Sequence, residues 1–242
     1  MIRTEALTKR FGDTSAVEGL DLEVRAGEFF CFLGPNGAGK TTTIKVLTGL
    51  LRPTSGRATV GGHDVVREPE AAKRMLGYVP DMPFLFDRLT GRELLQLVAG
   101  LYGLPPKGLA ERVDEVLATF DLVGLANHLI GDLSHGMRQK LSFAVTFLHE
   151  PQVVVVDEPW VGLDPRSIHR LKWFLKERTR AGLTVFMSTH TLSIAEEVAD
   201  RIGIIHRGRR LALGSVDEIK SLVERPGSLE DVFLELTRED ET

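Results

Sequence analysis

The fold is decided by the stretch Gly34-Pro35-Asn36-Gly37-Ala38-Gly39-Lys40-Thr41. It has the spacing G-x4-G-K-T of a phosphate-binding loop, and it follows the continuous apolar run Phe29–Leu33, which is typical of a buried strand. Apolar residues at helical spacing follow it from Thr41 to Gly49. Glycines let such a loop turn tightly and present N–H groups to phosphate oxygens, and the helix N-terminus adds a favourable partial charge. The stretch therefore predicts the strand, loop and first helix of a phosphate-loop NTPase.

The side chains of this loop indicate ATP as ligand and Mg²⁺ as its companion ion. Lys40 is placed to reach the β- and γ-phosphates, where it also serves catalysis, and the Thr41 hydroxyl is placed to ligate Mg²⁺. The alternative is a glycine-rich turn with a solvated lysine, which the position between a strand and a helix disfavours. The expected phosphate cradle consists of Gly34, Pro35, Asn36, Gly37, Ala38, Gly39, Lys40, Thr41 and Thr42.

An acidic pair follows a second buried strand. Asp157 and Glu158 come directly after the β-branched run Val153–Val156, at the carboxyl end, where open α/β sheets bind ligands. Asp157 is expected to hold Mg²⁺, directly or through water, and Glu158 to polarise the attacking water. Standing alone, the same pattern would indicate only a strand that leaves the core into a turn.

The order of patterns along the chain predicts an α/β fold with a mostly parallel core sheet. Period-two alternation near the start predicts an antiparallel β part, and α/β alternation returns after Val153. Between them the pattern is helical, beginning with a capping box at Thr90 and Glu93. We therefore expect one domain over residues 1–225, with an inserted α-helical subdomain at approximately 82–150, and a C-terminal extension over residues 226–242.

Composition excludes several function classes. The net charge of −4 gives no electrostatic reason to expect nucleic-acid binding. A single cysteine, Cys31, excludes an internal disulfide framework and suits a reducing compartment, and its apolar neighbours indicate a core residue. Neither a signal peptide nor a spanning segment is apparent, so a membrane function would be performed from the cytoplasmic face with partners that span the bilayer.

The segment Leu133-Ser134-His135-Gly136-Met137-Arg138-Gln139-Lys140 resembles the signature motif of ABC transporters, usually written LSGGQ. The resemblance extends over nearly the whole chain and identifies it as similar to an ABC nucleotide-binding domain. In that family the signature of one subunit closes over ATP held by the phosphate loop of another. Here His135 replaces the first glycine and Met137 the glutamine, whereas Ser134 and Gly136 remain. Alone, Ser134 would be an ordinary helix N-cap.

Three further positions match family elements in order along the chain. Phe11 matches the A-loop aromatic that stacks on adenine, with a core phenylalanine as the alternative. Asp164, in Gly162-Leu163-Asp164, matches the D-loop residue that contacts the opposite subunit, and it can also cap the following helix. His190 matches the switch histidine that contacts the γ-phosphate, and we count it among the catalytic residues with Glu158 and Lys40.

Asp81 is the main departure from the family pattern. The sequence Tyr78-Val79-Pro80 resembles the start of the Q-loop, but Asp81 stands where the family has glutamine. In the family this glutamine approaches Mg²⁺ and couples the site to the transmembrane subunits. The shorter, charged Asp81 could ligate Mg²⁺ directly, or it could weaken γ-phosphate binding by repulsion. Both alternatives remain open from sequence.

The resemblance implies an ATP-hydrolysing subunit of a transporter, peripheral on the inner face of the cell membrane. Its partners would be a transmembrane permease subunit and a second nucleotide-binding subunit, identical or different, and no nucleic acid. The signature and the segment Ser228–Phe233 resemble bacterial exporters of the ABC-2 or EcsA type. The alternatives are a soluble ABC-type ATPase and a regulatory ATP sensor without a transport role.

Overall fold

The computed structural model describes residues 1–222 and 228–238. Its strands are β1 (Ile2–Phe11), β2 (Thr14–Val24), β3 (Phe29–Leu33), β4 (Ser55–Val60), β5 (His63–Asp64), β6 (Leu76–Val79), β7 (Val153–Asp157), β8 (Thr184–Thr189), β9 (Arg201–His206) and β10 (Arg209–Gly214). Its α-helices are α1 (Lys40–Leu47), α2 (Pro69–Met75), α3 (Gly91–Leu101), α4 (Leu109–Thr119), α5 (His135–Phe147), α6 (Pro165–Arg180), α7 (Leu192–Val198), α8 (Val216–Lys220) and α9 (Leu229–Arg238). Short 3₁₀ turns occupy Val123–Leu125 and Ile130–Asp132.

The strands form two sheets. One is antiparallel and has the order β2-β1-β4-β5. The other has the order β10-β9-β3-β8-β7-β6, in which every neighbouring pair is parallel except β9 with β10. The predicted fold class, with a mostly parallel core sheet and an antiparallel N-terminal part, is confirmed. The topology brings the carboxyl ends of β3, β7 and β8 to one edge.

The parallel sheet is buried on both faces. In β7, Val154 and Val156 join the core on one side, whereas Val153 and Val155 join the core on the other. All five residues of β3 and of β7 are buried, because helices cover one face of the sheet, and α1, α2 and the antiparallel sheet cover the other. This burial explains the uninterrupted apolar runs and fixes the position of the two strands that deliver the site.

Cys31 lies in the middle of β3 and is completely buried. Burial raises the pKa of its thiol, with a smaller contribution from the charge of Asp200. The thiolate is therefore strongly disfavoured, which agrees with the interpretation of Cys31 as a core residue.

Helices α3, α4 and α5 pack together through buried residues such as Leu95, Val113 and Leu141. The capping box of α3 is present, with the Glu93 N–H donating to Thr90 Oγ1 at 3.2 Å. The extent of the helical subdomain and the division of the chain into domains stay predictions. The expected boundary between residues 225 and 226 lies outside the described residues.

The sequence patterns missed some elements. Strand β2 begins at Thr14, whereas period-two alternation predicts a strand only over Leu20–Val24, because register shifts in its pairing with β1 disturb the alternation before that. Helix α2 and strand β6 were not predicted, because each is a single short element without a repeating pattern. Among the described residues, none of the helices combines the length and apolar character that crossing a membrane requires.

Candidate functional site

The phosphate loop connects β3 to α1, as predicted. Gly37 and Gly39 adopt φ angles of 80° and 108°, which side chains rarely tolerate. A Cβ at Gly39 would lie 2.4 Å from the carbonyl oxygen of Ala16, and a Cβ at Gly34 would lie 2.4 Å from that of Ile205. These glycines are therefore required by close backbone approach as well as by the turn.

Lys40 points back into the loop that precedes it. Its Nζ donates hydrogen bonds to the carbonyl oxygens of Gly34 at 2.7 Å and of Pro35 at 3.2 Å. The same ammonium lies 3.6 Å from Glu158 Oε1, and the lysine is only 6% exposed. The ammonium is thus held at the centre of the loop by two carbonyl oxygens and one carboxylate of its own chain.

A cleft of about 250 Å³ opens over the loop. We call it the nucleotide cleft, and its lining brings together most of the predicted phosphate cradle, the acidic residue Glu158 and the atypical Asp81. Ala16, near the start of β2, also lines the cleft and was not predicted, since a small residue in a strand gives no signal. The lining residues are Ala16, Pro35, Asn36, Gly37, Gly39, Lys40, Thr41, Thr42, Asp81 and Glu158.

Asp157 ends β7 and is fully buried. Its Oδ1 accepts a hydrogen bond from the Ser188 hydroxyl, whereas its Oδ2 is buried without a hydrogen-bond partner. Burial raises the pKa of Asp157; hydrogen bonds from Ser188 and Thr41 oppose this, and the charges of Asp81 and Glu158 reinforce it. Hydrogen bonding therefore compensates only part of the effect of burial on this carboxylate.

Ser188 is a site residue that the sequence analysis did not single out. It lies directly opposite Asp157 in the pairing of β7 with β8. Its hydroxyl also accepts a hydrogen bond from the Glu158 N–H at 3.2 Å. Only knowledge that these two strands are neighbours would have revealed it.

Glu158 follows with a φ of 42°, in the left-handed region that is unfavourable for glutamate. This conformation turns its side chain into the cleft, where Oε2 lies 2.9 Å from His190 Nδ1. The side chain of His190 is 60% exposed and extends from the loop after β8. Lys40, Glu158 and His190, predicted from separate parts of the sequence, therefore meet at one point.

The segment Leu133–Lys140 forms the start of α5. Ser134 caps this helix by accepting a hydrogen bond from the Met137 N–H at 3.3 Å. Ser134 and Met137 are exposed, and His135 and Gly136 are partly buried. None of these four residues is among those that line the nucleotide cleft in the described part of the chain.

A family model described as ABC transporter matches residues 17–161. The chain belongs to the ABC transporter family. It is 40% identical over 233 residues to the daunorubicin resistance ATP-binding protein DrrA3 of Streptomyces coeruleorubidus, covering 96% of this chain and 73% of that protein. It is 36% identical over 240 residues to the probable multidrug ABC transporter ATP-binding protein YbhF of Escherichia coli (strain K12), covering 98% of this chain but 41% of that protein.

A solved structure of an ATP binding subunit of an ABC transporter has the same fold. It matches with a TM-score of 0.92 at 34% sequence identity, over 98% of this chain and 100% of that one. The predicted family and fold are confirmed, and as an ABC cassette this chain binds and hydrolyses ATP.

The D-loop residue Asp164 acts as the N-cap of α6. Its Oδ1 accepts hydrogen bonds from the N–H groups of Arg166 and Ser167, both at 3.0 Å. The Ser167 hydroxyl donates to Oδ2 at 2.5 Å, and these bonds lower the pKa of Asp164. Its capping role is thus present within the chain, and its contact with an opposite subunit stays a prediction.

The A-loop position Phe11 ends β1 and is 50% exposed, so the alternative of a core phenylalanine is wrong. The Nζ of Lys9 lies 5.1 Å from the centre of its ring. At the Q-loop position, Asp81 is exposed, and its Oδ1 accepts a hydrogen bond from the Met82 N–H at 2.8 Å. Both residues are free to contact a ligand.

Proposed function

We propose that this chain powers an ABC transporter through the head-to-tail pairing of two cassettes, which ATP closes and hydrolysis separates. The observation that carries the proposal is that Lys40 and His190 both contact Glu158, which lines the nucleotide cleft. ATP drives such pairing only if it is bound better in the closed pair than in the open one. The required extra contacts would come from the signature segment of the opposite cassette.

The exposure of the signature segment supports a shared site. Ser134 is exposed, and neither it nor the first residues of α5 are among those that line the cleft of their own chain in its described part. A helix N-terminus with an exposed hydroxyl offers donors to a phosphate group. A second cassette would present these groups to the γ-phosphate, which neither cassette encloses alone.

The catalytic roles follow from the partners that ATP would displace. Glu158 lies 3.6 Å from Lys40 Nζ and 2.9 Å from His190 Nδ1 in this structure. A γ-phosphate in the cleft would attract the Lys40 ammonium and accept a hydrogen bond from the His190 ring, and Glu158 would then be free to orient and polarise a water molecule. A base positioned in this way contributes about 10²–10⁴-fold to the rate.

The residues present also fit Mg²⁺. Asp157 Oδ2 is buried without a hydrogen-bond partner, and the neighbouring Thr41 hydroxyl already interacts with the Asp157 carboxylate. Mg²⁺ takes one or two protein oxygens and keeps several waters, so Thr41 and Asp157 suffice to hold it beside the phosphates. When bound, the ion would neutralise phosphate charge. Asp81 borders the same cleft and is the third candidate ligand.

An exposed apolar face next to the cleft supports a membrane-protein partner. Directly after Asp81, the side chains of Met82, Phe84 and Phe86 are 51%, 88% and 64% exposed. Contiguous exposed apolar surface of this kind marks an interaction site. A transmembrane permease docked here would hold the cassette at the inner face of the membrane and would contact the loop that borders the cleft.

The test is Glu158→Gln with ATP and Mg²⁺. Because the amide keeps the shape of the side chain but cannot act as a base, we expect a stable ATP-bound dimer by gel filtration with light scattering and little phosphate release. Ser134→Arg in the same background is the matched variant, and it should prevent the dimer by blocking the signature contact. A Glu158→Gln monomer with unchanged turnover would contradict the proposal.

A further inference from the structure

His135 packs directly against the D-loop of its own chain. A Cβ at Gly162 would lie 2.4 Å from His135 Nδ1, 3.2 Å from Cγ and 3.3 Å from Cε1. The imidazole therefore occupies the space that a side chain at position 162 would need. Gly162 also has a φ of 77°, so the D-loop turn favours glycine for its backbone as well as for this contact.

Gly136, the next residue of the signature segment, contacts the same glycine. A Cβ at Gly136 would lie 2.6 Å from the carbonyl oxygen of Gly162 and 3.7 Å from Leu163 Cδ2. Two successive signature residues thus enclose Gly162, one through its side chain and one through its Cα. The contact with His135 depends on a residue that stands where the usual motif has glycine.

Packing, and not a hydrogen bond at Nδ1, holds the His135 ring in place. Its Nδ1 is buried and has no hydrogen-bond partner. Leaving a polar atom in this way costs about 1–3 kcal/mol. Because this ring nitrogen makes no hydrogen bond, we infer that close packing against Gly162 fixes the position of the imidazole.

We propose that His135 is a positioning residue that makes the signature segment and the D-loop of one cassette move as one unit. Ser134 immediately precedes it, and Asp164 follows Gly162 by two residues. Both residues face the opposite cassette under the proposed function, on which this inference rests. A contact of Ser134 with ATP in that cassette would then set the position of Asp164.

The test is a double-mutant cycle in the Glu158→Gln background. His135→Ala is expected to raise the ATP concentration for half-maximal dimerisation about tenfold, a typical coupling for residues in contact. ATP binding by the monomer, measured with a fluorescent ATP analogue, and the melting temperature should stay nearly unchanged. His128→Ala removes an exposed histidine that precedes α5 in the sequence, and it serves as the matched control.

The second part of the experiment tests the close contact between Gly162 and the His135 ring. Gly162→Ala alone should impair dimerisation more severely, because its methyl group meets the imidazole. Adding His135→Ala should improve dimerisation relative to Gly162→Ala, which backbone strain at position 162 alone would not produce. The inference is overturned if His135→Ala dimerises at the ATP concentration of its parent, or if the double variant is worse than Gly162→Ala. Absence of any dimer in the Glu158→Gln parent would overturn the proposed function, and this role of His135 with it.

Discussion

Replacing Asp157 with asparagine is expected to stabilise the nucleotide-free protein. Asparagine keeps an acceptor for the Ser188 hydroxyl, removes the buried charge, and offers an amide N–H₂ whose hydrogen bond the neighbouring Thr41 hydroxyl can accept. Desolvation of an incompletely compensated buried group costs about 1–3 kcal/mol, and more when the group is charged. Taking about 2 kcal/mol, and about 2–4 °C per kcal/mol for a chain of this size, the melting temperature should rise by about 4–8 °C.

The stabilising effect of Asp157→Asn should depend on pH, and the direction of this dependence follows from the pKa of Asp157. Burial raises the pKa of Asp157, so folding favours the protonated carboxyl, and the charged form destabilises the fold above that pKa. This destabilisation is relieved as the pH falls through the raised pKa. The advantage of Asp157→Asn should therefore be largest at about pH 8 and shrink on acidification.

Differential scanning calorimetry of the wild type and Asp157→Asn, without nucleotide and across this pH range, measures the effect. Glu115→Gln, which neutralises an exposed carboxylate on α4, is the control and should change the stability by less than about 0.5 kcal/mol. With ATP and Mg²⁺ the order should reverse, because only the wild type gains the full ligand stabilisation. An Asp157→Asn protein that melts at or below the wild-type temperature at pH 8 would refute the reasoning.

Two further predictions concern the Q-loop position and the apolar face beside it. If the charge of Asp81 repels phosphate, Asp81→Gln should lower the KM for ATP by up to about fivefold in a phosphate-release assay. A higher KM together with a higher Mg²⁺ requirement would instead identify Asp81 as a metal ligand. Phe84→Ser should weaken binding to membranes that contain the permease by about tenfold and leave ATP turnover in solution unchanged. Trp173→Ser, at a 50% exposed residue of α6, is its control, and equal losses from both variants would exclude a specific face.

Sequence alone was sufficient for the parts of the site that are built into one stretch of chain. The phosphate loop needs glycine at positions 34 and 39 because backbone atoms come within 2.4 Å of where a Cβ would lie. These two requirements produce a recognisable spacing of glycines in the sequence. The buried strand before Asp157 likewise leaves a continuous apolar run, since both faces of the sheet are covered. These local constraints explain why the fold class and family could be predicted.

Contacts between segments that are distant along the chain do not produce a recognisable sequence pattern. Ser188 supports Asp157 only because β8 lies beside β7, and a serine near the end of a strand is otherwise unremarkable in sequence. The interaction of His135 with Gly162 joins two segments that lie apart in the sequence, the signature segment and the D-loop. In the sequence His135 is only a replacement for the first glycine of the motif, whereas the structure gives its side chain a packing role.

The burial of Cys31 has a practical consequence for measuring how the cassettes move. It is the sole cysteine among 242 residues, and burial keeps its thiol protonated inside β3. Maleimide and methanethiosulfonate reagents attack exposed thiolates, so the native chain already serves as a background that resists labelling. A single cysteine introduced at exposed Trp173 would then carry a spin label or fluorophore, and distances across an ATP-bound pair could be recorded without first removing a core residue.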